Sequence, residues 1–110
     1  MFMIMFVLDD PEFLDRILEA WTEAQVSGCT IVESTGLYRS HHKRVPMRYS
    51  DGSETPAEKG NITFFAIVES EEIVIACLKA TERIVGNLDE PNTGVFASWP
   101  LPIVKGVPNS

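Results

Sequence analysis

Two segments of this chain, FMIMFVL at Phe2–Leu8 and ITFFAIV at 62–68, are rich in apolar side chains at both parities. A strand of that kind is covered on both faces, because alternate residues point to opposite sides of a sheet. Between and after them lie only two amphipathic helical segments. In the first, Asp10 reads as an N-cap, Pro11 as the first helical residue and Glu12 as a first-turn acid. Leu14, Ile17, Leu18 and Trp21 then recur at helical spacing, and Gly28 is expected to end the segment. In the second, Ser70 caps a helix through Glu71 and Glu72. Val74, Cys77, Leu78, Thr81 and Val85 share one face, and Gly86 stands at the C-terminus.

Two weaker strands complete the order. Residues 30–35 (TIVEST) alternate and carry β-branched side chains, while 95–99 (VFASW) is closed by Pro100 and Pro102. The result is β-α-β-β-α-β. In a ferredoxin-like sheet of that order the first and third strands are central and the second and fourth are edges. The doubly apolar strands are indeed the first and third. The expected fold class is therefore α+β, ferredoxin-like βαββαβ: one domain over residues 1–110, with a four-stranded antiparallel sheet and both helices on one face.

Two helices cover only one side of such a sheet. The other parity, Met3, Met5, Val7, Phe65 and Ile67, needs a second cover, since each large apolar side chain left wet forgoes about 1.5–3 kcal/mol. Sheets packed inward in a closed homo-oligomer would supply it. The alternative is that the long central loop or the C-terminal tail folds over the sheet.

Residues 38–60 show no periodicity and contain Pro46, Gly52, Pro56 and Gly60. A loop of that length in a small domain is disordered or functional. Its first half holds Arg39, Lys43, Arg44 and Arg48 and no acid, out of nine basic residues in a chain of formal net charge −7. A basic arm on an acidic body suits an acidic partner or an anionic ligand. The acidic balance argues against a nucleic-acid surface. His41 and His42 are adjacent, so in an extended loop they point apart, and no metal site is expected. No constellation that could be catalytic is evident. Cys29 and Cys77 lie in apolar stretches and read as small buried thiols of a reducing compartment. The opening residues lack a basic leader and are too short to span a bilayer, so a cytoplasmic location without membrane insertion is expected.

Gly28-Cys29-Thr30, Glu33 and Gly36-Leu37-Tyr38-Arg39-Ser40, with Lys59 just before the third strand, Phe96 in the fourth and Lys105 beyond it, resemble the PII signalling family in order and spacing over nearly the whole length. That family comprises nitrogen regulatory protein PII and its PII-like relatives. The resemblance implies a homotrimer with sheets facing a central axis and nucleotide sites between subunits. It also implies that residues 38–60 form a T-loop that controls a transporter, enzyme or regulator. Thr30 would contact adenine, and Gly36, Leu37, Tyr38 and Arg39 would frame the nucleotide. Lys59, Gly94 and Lys105 would lie at its phosphates or at a small anion. Arg39, His41, His42, Lys43, Arg44, Arg48 and Tyr49 would meet the partner protein. The family's glycine-rich phosphate turn is here Asp89-Glu90-Pro91-Asn92-Thr93-Gly94. Two acids and a proline in it should repel phosphate and remove amide donors. ATP, ADP or AMP binding is therefore expected to be weak, altered or lost. Ser40 stands where the family has a metal- and 2-oxoglutarate-binding glutamine. The competing readings are a CutA-like trimer that binds divalent metal, and an acylphosphatase-like enzyme, for which Asp9-Asp10 has the wrong charge.

Overall fold

The computed structural model describes residues 1–34, 60–91 and 93–107. In chain order they form β1 (Phe2–Leu8), a 3₁₀ turn (Pro11–Phe13), α1 (Leu14–Glu23), β2 (Thr30–Ser34), β3 (Asn61–Val68), α2 (Glu71–Val85) and β4 (Gly94–Pro100). The strands make one antiparallel sheet in the order β2-β3-β1-β4, with the doubly apolar pair in the middle. This is the ferredoxin-like α+β architecture.

The second helix starts at the cap the sequence places, whereas Asp10 caps the 3₁₀ turn at Pro11–Phe13 and α1 begins a turn later, at Leu14 behind Phe13, with no side-chain cap. Asp10 Oδ1 accepts from the Glu12 N–H at 3.0 Å, and Ser70 Oγ accepts from the Ile73 N–H at 3.3 Å. The helices pack against each other and share one sheet face. On that face Ile4, Phe6, Leu8, Ile62, Phe64, Ala66 and Val68 meet Ile17 and Trp21 of α1 and Val74 and Cys77 of α2. Phe6 and Trp21 share an aromatic cluster with Phe64 and Phe96; the Phe6 ring centroid lies 5.7 Å from Phe64, 6.2 Å from Trp21 and 6.3 Å from Phe96. The two helices are also joined by a buried polar relay. The Trp21 indole N–H donates to Thr81 Oγ1 at 2.8 Å, and the Thr81 hydroxyl donates to the Cys77 carbonyl at 2.8 Å.

The first helix does not run to Gly28. It stops at Glu23, and Gln25 takes the left-handed conformation at φ 75°. The Gln25 N–H donates to the Thr22 carbonyl at 3.1 Å and the Val26 N–H to the Trp21 carbonyl at 3.0 Å. These paired bonds are a Schellman closure, and they tuck Val26 into the core beside the last turn. Burial of Val26 sets the stop, while Gly28 is exposed with open space where a Cβ would be. A glutamine in this conformation carries strain that glycine avoids. Gln25→Gly is expected to raise stability by about 0.5–1 kcal/mol. The check is the urea midpoint at unchanged slope, with Gln25→Ala leaving it close to wild type.

Cross-strand register fixes the opposite face. Its rows are Met3 with Ile67 and Trp99, then Met5 with Phe65, Ala97 and Thr30, then Val7 with Thr63, Val95 and Val32. Met3, Met5, Val7, Phe65 and Ile67 are half-buried. Toward the edges Val32, Val95 and Trp99 are 44%, 56% and 41% exposed. Part of the cover comes from the chain's own tail. The Leu101 N–H donates to the Met1 carbonyl at 2.9 Å beside the end of β4, and Gly106 and Val107 reach the β2 side, next to Met3, Phe65 and Ile67.

Candidate functional site

Where the tail meets the start of β2 there is a cleft of about 370 Å³. Its floor is Met3, Phe65 and Ile67, one wall is Ser27–Thr30, and the other is Gly106 and Val107. No charged side chain lines it among the described residues. Its chemistry is that of an apolar slot edged by backbone polar groups and the Thr30 hydroxyl, which suits a flat, weakly polar group.

Cys29 belongs to this wall and also packs against the core; it is half-buried, less enclosed than expected from its sequence surroundings. Burial raises its thiol pKa, and a backbone hydrogen bond from Phe65 acts against that. Cys77 is wholly enclosed; burial pushes its thiol up to about 12, the hydrogen bond with Thr81 acts the other way, and nearby Cys29 adds slightly. Both thiols are free and protonated at neutral pH, which makes them poor nucleophiles.

Three of the sequence-derived binding residues fall within the described residues. Thr30 lines the cleft, and exposed Lys105 directly precedes Gly106 in its wall. Gly94 lies elsewhere. It pairs with Leu8 on the far edge strand, while Thr30 sits on the near one, with β3 and β1 between. Strand spacing puts the two about 14 Å apart across the sheet and about 10 Å along it. Gly36, Leu37, Tyr38, Arg39, His41, His42, Lys43, Arg44, Arg48, Tyr49 and Lys59 lie outside the described residues.

The turn before β4 uses its amides internally. The Leu88 N–H donates to Glu82 Oε2 at 3.0 Å, the Asp89 N–H to Asn87 Oδ1 at 2.9 Å and the Glu90 N–H to the Asn87 carbonyl at 3.0 Å. Thr93 Oγ1 donates to the Glu90 carbonyl at 2.9 Å. A phosphate would find these three N–H groups occupied and the Asp89 and Glu90 carboxylates close by. Gly94 has a packing reason of its own: at φ +140° it lies so close to the Val7 carbonyl oxygen that no side chain fits.

The cleft-lining roles of Cys29, Gly106 and Val107 were not read from the sequence. The parity of Phe65 and Ile67 already put them on the open face. No periodic pattern in the tail signals its docking, although Gly106 turns there in the left-handed region at φ +93°.

A scan against protein-family models finds no match, and no curated protein matches in sequence. Among solved structures, the fold is similar to that of a provisionally assigned PII-like signalling protein from Thermus thermophilus. The TM-score is 0.53 at 18% identity, over 89% of this chain and 82% of the other. The likeness is one of fold. Among the described residues no helix is long and apolar enough to cross a membrane, and no group of three His, Cys, Asp or Glu could hold a metal ion.

Proposed function

We propose that this chain is a PII-like regulator, a trimer rather than an enzyme. It binds an adenine nucleotide or a small anion between subunits and controls a protein partner in the cytoplasm through residues 38–60. One observation carries the reading. β2 and β3 are direct antiparallel neighbours, and their last described pair is Ser34 with Asn61. A hairpin turn of about two residues would join them. The chain instead inserts all of 35–60 there, with a basic run in its first half. An insertion pinched at its base is a recognition arm mounted on a rigid frame.

The fold likeness to a PII-like protein supports this reading, as does the half-covered sheet face, which sister chains would complete. The separation of Thr30 from Gly94 supports a ligand that bridges two chains, since one small molecule cannot span them easily within one. The internally bonded turn at Leu88–Glu90 supports weak contact with a polyphosphate, and so favours a nucleotide with fewer phosphates.

The test is a thermal-shift series with AMP, ADP, ATP, bicarbonate, 2-oxoglutarate, copper and zinc, alongside sedimentation. A trimer stabilised by an adenine nucleotide, with the shift abolished in Arg39→Ala, is the expected result. With free nucleotide at about 100 times Kd the gain is about 2.7 kcal/mol. A monomer at micromolar concentration that shifts with none of the nucleotides or anions would overturn the proposal, and a shift with copper or zinc alone would point to the CutA-like reading.

A further inference from the structure

We propose that residues 102–107 are a strap that gates the Thr30 cleft, held at its two ends and loose between them. Near β4, the Leu101 N–H to Met1 carbonyl bond ties one end to the sheet. At the other end half-buried Val107 is the seat. It walls the Thr30 cleft on one side and, on the other, a second cleft of about 530 Å³ bounded by Gln25, Val26 and Ile73; Ser27 and Ile67 border both. Between the two attachments Pro102, Ile103, Lys105 and Gly106 are exposed, Ile103 at 87%, and only Val104 is half-buried.

A segment with so few buried contacts opens locally at much lower cost than the sheet beneath it. Gly106 turns the chain toward the sheet in the left-handed region at φ +93°, and a residue with a Cβ resists that turn. Lifting Val107 removes one wall of the Thr30 cleft and merges it with its neighbour. What enters the cleft is then governed by the seating of a single valine.

Cys29 reports on this directly, since it lines the cleft while Cys77 is fully enclosed and serves as an internal control. The experiment follows the reaction of native protein with an aromatic disulfide reagent, resolving the two cysteines by mass spectrometry. Val107→Asp should speed modification of Cys29 about tenfold or more, and Gly106→Val should act in the same direction, with Cys77 silent in both. Where Cys77 reacts as fast as Cys29, the variant has lost its fold. Val107→Ala then decides, with a smaller rise expected at Cys29 alone. A Cys29 rate unchanged from wild type in the folded variants overturns the strap. The outcome is independent of whether nucleotide binds, so the two proposals fail separately.

Discussion

Replacing Gly94 with alanine is expected to destabilise the protein by on the order of 3 kcal/mol, through backbone strain and overpacking together. The glycine opens β4 at φ +140°, a region that residues with a Cβ rarely enter. A Cβ built there runs into the Val7 carbonyl oxygen and comes within 3.0 Å of the Phe6 ring. The oxygen is part of the β1 backbone, and the Phe6 ring is packed among Trp21, Phe64 and Phe96, so neither yields cheaply. Urea unfolding of Gly94→Ala against wild type measures the loss. A midpoint within error of wild type would mean that β1 and β4 can part at this rung without cost. The variant also separates two roles. If Gly94 matters only as a ligand contact, the substitution weakens ligand binding and leaves stability alone.

Thr81→Val is expected to cost about 2 kcal/mol, although it replaces one β-branched side chain with another of nearly equal volume. Thr81 is fully enclosed and Trp21 is 1% exposed, so no water can reach the indole N–H once its acceptor is gone. An orphaned buried donor forfeits its full desolvation energy, which is the asymmetry that makes such a swap expensive. Thr81→Ser keeps the oxygen and should recover much of the difference, less the packing of one methyl group. Thermal unfolding of both variants checks the pair; equal losses for Val and Ser would show that packing, not the hydrogen bond, holds the helices together there.

The frame was legible because each of its rules acts locally. Parity in Phe2–Leu8 and in residues 62–68 marked the central strands; Ser70 announced the start of α2, and Asp10 that of the 3₁₀ turn leading into α1, by the bonds their side chains make. The end of α1 was not legible in the same way. Gly28 is the residue that chemistry favours for a stop, yet tertiary burial of Val26 imposes the turn on Gln25. Thr81 looked like one more member of an apolar face, and only the position of Trp21, sixty residues earlier, makes it an acceptor. The site was read less well than the frame. Thr30 lines a cleft closed by a tail whose path has no periodic signal, Lys105 only precedes the tail residues of its wall, and Gly94 is held at the opposite edge by packing.

The pairing of Ser34 with Asn61 has an evolutionary corollary. Because Ser34 and Asn61 share one rung, the register of β2 against β3 is already set where the chain leaves the described part of β2 and where it re-enters β3. Related sequences are then free to vary between those two positions while inheriting the same strand register.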